Sequence, residues 1–127
     1  MTDVVWKSDP DQKDYPAAEA YLSLILGKKD VGMIVVSLAS APVHTQKAKD
    51  ILRASALPLL SADDQHVAGD LEKIKKGEPL SPVLLLRGNF RAGVPLQVAD
   101  GYHRVCAVFH FDQNVDIPCR IADLPEP

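Results

Sequence analysis

Apolar residues along the chain fall into helix-like stripes first and short strand-like runs later. From Pro16, the residues Ala17, Ala18, Ala20, Tyr21, Leu22, Leu24, Ile25 and Leu26 predict an apolar helix with Gly27 as its C-cap. The segment Met33–Leu38 is rich in β-branched residues, which favours a strand, but it is too short for periodicity to separate strand from helix. Pro42 opens a second helix, roughly Thr45 to Ser55, with Ala48, Ile51 and Leu52 on its inner face. Leu57-Pro58-Leu59-Leu60 reads as a short extended piece. A third helix starts from a Ser61/Asp64 capping box and carries the stripe Val67, Leu71, Ile74. It crowds Lys73, Lys75 and Lys76 into its last turn and stops at Gly77, with Gly69 as a weak point in the middle.

The last third has a different period. Val83-Leu84-Leu85-Leu86 is a continuous apolar run, the pattern of a strand covered on both faces. Gly88 to Gly93 is a turn, and the alternation around Leu96 and Val98 predicts a second strand over 95–99. Asp100-Gly101 breaks that strand. Residues 102–111 predict a helix with Tyr102, Val105, Cys106 and Phe109 on one face, and Ile117, Cys119 and Ile121 alternate as a closing strand. The expected class is therefore mixed α/β.

Length and charge narrow the picture. At 127 residues the chain suits a single domain. The first 14 residues are polar and read as a loose arm; without an apolar h-region or a run of ~18 apolar residues, they predict neither a secretory signal nor a membrane span. A cytoplasmic location follows as the expectation, and Cys106 and Cys119 are then two reduced, buried thiols. The formal net charge of −3 disfavours direct DNA binding, which normally rests on a basic surplus. His44 and His66 read as surface residues, and His66/Asp70 as a surface i, i+4 contact. No residue spacing predicts a metal site.

The chemistry concentrates at Asp100-Gly101-Tyr102-His103-Arg104. A strand that ends in Asp-Gly and turns at once into a helix leaves the first helical N–H groups free. Together with the helix dipole they form an anion site. His103 and Arg104 add a titratable group and a permanent cation, and Arg suits phosphate. A purely structural reading stands beside this one. In it Asp100 is an N-cap, Gly101 shapes the turn, and Arg104 pairs with Asp100 or Asp116.

From about Leu71 to Ala122 the sequence resembles the core shared by ParB N-terminal domains and sulfiredoxins. The resemblance rests on Lys75-Lys76-Gly77 ending a helix, on Leu80-Ser81-Pro82-Val83 entering a strand, and on the Asp100–Arg104 turn. It rests also on the apolar helix that follows and on Ile117-Pro118-Cys119-Arg120-Ile121 as closing strand. It implies a small sheet with packed helices over 56–127, preceded by an arm and helical extension over 1–55. It also implies a nucleotide held at Asp100, Gly101, Tyr102, His103 and Arg104, a nucleoside triphosphate with Mg²⁺ as ligand, and weak phosphohydrolase or nuclease-like activity. Asp100 is then a candidate for holding the Mg²⁺. Tyr102 stands where sulfiredoxins place their reactive cysteine, so sulfinic-acid repair is not expected. ParB partition proteins follow this core with a DNA-reading helical domain, whereas this sequence ends at Pro127. The alternatives are a non-enzymatic regulatory or dimerisation module, a homodimer formed through the N-terminal helices with the same pocket binding a nucleotide or phosphorylated small molecule, or a DNA-associated ParB-like protein without its own DNA-reading domain.

Overall fold

The computed structural model describes residues 3–126. In chain order these form α1 (Asp14–Leu22), α2 (Lys28–Ser40), β1 (His44–Lys47), α3 (Ala48–Ser55) and α4 (Gln65–Lys76). They continue with β2 (Val83–Leu86), a 3-10 turn at Phe90–Ala92, β3 (Gln97–Asp100), α5 (Tyr102–Phe111) and β4 (Asp116–Ala122). The strands make one mixed sheet in the order β1-β4-β2-β3. β2 runs antiparallel to β3 and parallel to β4, and β1 pairs antiparallel with β4. A hairpin thus leads from β2 to β3, and α5 carries the chain back so that β4 can lie parallel to β2.

Strand alternation sorts side chains into two cores. Val83, Leu85, Val98, Ile117 and Cys119 face α3, α4 and α5, where they meet Ile51, Val67, Ile74 and Val105. Leu84, Leu86, Ala99 and Ala122 face α1 and α2, where they meet Ala18, Leu22, Ile34 and Leu38. All four residues of β2 are buried, as the continuous apolar run predicts. Burying a Val, Leu or Ile side chain contributes about 1.5–3 kcal/mol, so β2 is where the two layers gain most from one short segment. The strands at 83–86, 97–100 and 116–122 share this sheet and helix 102–111 packs on it, as the sequence pattern predicts.

The first half departs from expectation. Met33–Leu38 is helical within α2, whose buried residues are Val31, Ile34 and Leu38. A helical stripe is present once the window reaches back to Val31; the β-branched content obscures it. Gly27 does not cap α1. That helix ends at Leu22, and Gly27 is the N-cap of α2 at an ordinary negative φ. Leu24 and Ile25 lie exposed, so no burial prolongs α1 through them. The segment expected to open a helix at Thr45 begins as strand β1, and α3 starts at Ala48. β1 is almost wholly exposed, and its pairing with β4 supplies backbone partners that no apolar pattern announces. Leu57–Leu60 joins no strand. In α4 the cap is Asp64, which accepts from the N–H groups of His66 and Val67, while Ser61 accepts instead from Asp63. The helix then runs unbroken through Gly69.

The arm is not loose. Trp6 bridges in parallel to Leu80, with the Lys7 N–H donating to the Leu80 carbonyl and the Leu80 N–H to the Val5 carbonyl. Both cysteines are free and buried. Burial pushes the Cys106 thiol up and the Cys119 thiol up to about 11. Among the described residues no helix is long and apolar enough to cross a membrane.

Candidate functional site

β3 ends at Asp100, and Gly101 swings the chain into α5 at φ +110°. The position demands glycine twice over. An L residue rarely adopts that φ, and a Cβ would lie 2.5 Å from Val83 Cγ1 and 2.7 Å from Arg104 Nη2. Gly101 is the N-cap of α5 and offers no side-chain cap, so the N–H groups of the first helical turn are left for another acceptor. Asp100 is not the cap, contrary to the structural reading of the sequence. Its carboxylate reaches one turn along the helix to Arg104.

These groups border a cleft of about 250 Å³ built from four separate stretches of chain. The arm contributes Lys7, Asp11 and Lys13; α4 contributes His66, Asp70 and Lys73; the turn and the approach to β2 contribute Ser81, Asp100, Gly101, His103 and Arg104. Four of the five residues singled out at 100–104 therefore meet in one concavity. Tyr102 does not: its hydroxyl donates to the Pro58 carbonyl and its ring packs on the core.

Arg104 is largely consumed inside the protein. Its Nη2 donates to Asp100 Oδ2 at 2.6 Å, its Nη1 donates to Ser81 Oγ, and Asp14 Oδ2 lies 3.6 Å from Nη1. The side chain is 15% exposed. Ser81 Oγ in turn donates to Asp14 Oδ2 at 2.7 Å. Pairing of Arg104 with Asp100, left open by the sequence, is what the fold adopts. One guanidinium stands between two carboxylates and cannot neutralise both. Burial, helped by the neighbouring Asp14 charge and opposed by Arg104, holds the Asp100 carboxyl above the usual aspartate range. Burial does the same to Asp70 against the pull of Lys73. Lys7 is matched by Asp11 at 2.8 Å, and that hydrogen bond lowers Asp11.

What remains facing the cleft is Lys13, Lys73, His66 and His103, none of them within ion-pair distance of a carboxylate among the described residues. The His66 and His103 rings lie 4.8 Å apart, centroid to centroid, tilted by 49°. His66 is thus more than a surface residue: it brings α4 to the mouth of the α5 turn. Its signal is in the sequence, because His66, Asp70 and Lys73 recur at i, i+4, i+7 and form a polar stripe down one helix face. Lys13, Asp14 and Ser81 had no comparable signal, since docking of the arm on Leu80 is what brings them in. Among the described residues no three His, Cys, Asp or Glu side chains gather to hold a metal ion. The Asp100 carboxylate is engaged by Arg104 through Oδ2. The chain matches no protein-family model, no curated protein and no solved structure.

Proposed function

We propose that this cleft binds the phosphoryl group of a small phosphorylated ligand, nucleotides included. The observation that carries the reading is the uncapped first turn of α5 opening onto a cleft whose unmatched cations come from elsewhere in the chain. Backbone N–H groups and the helix dipole favour an anion at that point, and Lys13 and Lys73 supply charge that is not already spent. Specific small-molecule pockets are commonly 300–1,000 Å³. At about 250 Å³ the cleft suits a phosphoryl group and little more, so the rest of a nucleotide would extend beyond its rim. Phosphoryl transfer asks mainly for positioning and charge stabilisation, which makes a slow phosphohydrolase the activity most compatible with so few groups. A cytoplasmic setting accompanies this reading, because phosphorylated metabolites and reduced thiols belong together there.

The test is a thermal-shift series with inorganic phosphate and with nucleoside triphosphates, with and without Mg²⁺. A ligand at 100 times its Kd stabilises by about 2.7 kcal/mol. Replacing Lys73, which is exposed and so safe for folding, removes one charge-assisted contact of about 1.5–3 kcal/mol, or roughly a 10- to 150-fold loss of affinity. Absence of any shift with every phosphate tried overturns the reading.

A further inference from the structure

The cleft contains a nucleophile that binding alone does not use. Ser81 borders it, just before β2, with its hydroxyl held between two charged groups. The hydroxyl donates to Asp14 Oδ2 at 2.7 Å, and Arg104 Nη1 donates to the same oxygen. Asp14 is nine-tenths or more buried, so its carboxylate is fixed in place, and the Asp11 N–H at 3.1 Å holds it further. A serine hydroxyl is a weak nucleophile until a neighbouring group takes its proton. Here an acceptor for that proton is already hydrogen-bonded to it, and a cation lies against the oxygen on which negative charge would develop.

We infer that Ser81 is a phosphoryl acceptor: it takes a phosphoryl group from an activated donor bound in the cleft, with Asp14 as its general base. The inference rests on the phosphoryl-binding reading above and adds a reaction to it. The donor is an anhydride of phosphoric acid, either a nucleoside triphosphate or an acyl phosphate. In the step, Ser81 Oγ forms a bond to phosphorus while the bond from phosphorus to the bridging oxygen breaks. The Ser81 proton passes to Asp14, and the donor leaves as nucleoside diphosphate or carboxylate. No electron is gained or lost, and no further reactant is needed. Lys13 and Lys73 hold the non-bridging oxygens, and Arg104 stays against Oγ throughout.

The experiment incubates the full chain with acetyl phosphate in one arm and with ATP and Mg²⁺ in the other. Tandem mass spectrometry then locates any phosphoserine, and binding of inorganic phosphate is measured in parallel by calorimetry. The expected result is phosphate on Ser81 in at least one arm, and the arms tell which donor class serves. Ser81→Ala should abolish the label while inorganic phosphate still binds. Asp14→Asn should slow labelling by roughly 10²- to 10⁴-fold, the usual contribution of a general base, with phosphate affinity little changed. Circular dichroism establishes that each variant is folded, and the wild-type labelling site decides the matter even if Asp14→Asn unfolds. Phosphate binding without label on Ser81, or with label on His66 or His103 instead, overturns the transfer step and leaves the binding reading standing. No binding of inorganic phosphate and no label overturns both.

Discussion

Two arginines, one on α5 and one on β4, illustrate two ways of burying the same charge. Arg104 and Arg120 have nearly equal side-chain exposure, 15% and 13%, and in both the Nε finds no partner among the described residues. Arg120 projects from β4 toward α2. It donates to the carbonyls of Leu38 and Ala39 at the helix end, while Asp9, itself largely exposed, lies 3.0 Å away. It satisfies orphan carbonyls where the helix dipole is negative, which is a neutral partner's work done by a cation. Arg104 is instead surrounded by charge and a hydroxyl: Asp100, Asp14 and Ser81. Equal burial therefore does not mean equal consequence. Removing Arg120 frees backbone carbonyls at a helix end, whereas removing Arg104 leaves the buried Asp14 carboxylate and the part-buried Asp100 carboxylate with no cation between them.

The sharpest break of this comparison is Arg104→Ala. Stranding a buried carboxylate pair is expected to cost about 3–5 kcal/mol, read as a lower urea midpoint with an unchanged m-value. A loss below 1 kcal/mol would mean that Asp14 and Asp100 do not depend on the guanidinium. Gly101→Ala comes next. A side chain at φ +110° should cost about 1–3 kcal/mol in backbone strain, and its Cβ would push against Arg104. The two variants should not be additive, because the contact strained by one is removed by the other. Arg120→Ala should cost about 1.5 kcal/mol, the low end for bonds to a charged group, since carbonyls at a helix terminus can turn to solvent; its exposed Asp9 partner adds little.

The smallest effect is in pH. Asp100 and Asp70 have folded pKa values above the ordinary 3.8. In the window above 3.8 the folded state therefore holds protons that the unfolded state has released, and stability falls as pH rises through their folded values. Asp11 and Asp64 lie below 3.8, and their contribution is lost as pH falls beneath it. A urea series across acid pH should show the first slope in the wild type and a flatter one in Asp100→Asn. The same slope in both would place the proton elsewhere.

The sequence was most legible where a segment's own apolar pattern is unbroken. Val83–Leu86 is apolar throughout and buried on both faces, and residues 102–111 and 117–121 carry a regular apolar period, so the pattern reports these elements without knowledge of their distant partners. β1 was illegible because its partner lies over 70 residues away, pairing His44 with Cys119, and its own residues are polar and exposed. For the site, the turn at 100–104 was visible because Gly101 and the start of α5 are local features. The state of Arg104 was not, because Asp14 and Ser81 reach it only through tertiary contacts. The Tyr102 side chain turns to Pro58 and the core, in keeping with its place on the apolar face of the helix, so only its backbone stands at the turn.

The docked arm has a consequence for dissecting the chain. Within nine residues it supplies Trp6 to the bridge with Leu80, Asp9 to Arg120 and Asp14 to Arg104. A fragment cut at residue 15 would not be a trimmed version of the same domain. It would carry an arginine and a serine stripped of their buried carboxylate and a Leu80 backbone without its two partners. Proteolysis that clips the arm should therefore loosen the cleft on the far side of the bridge before it disturbs the sheet.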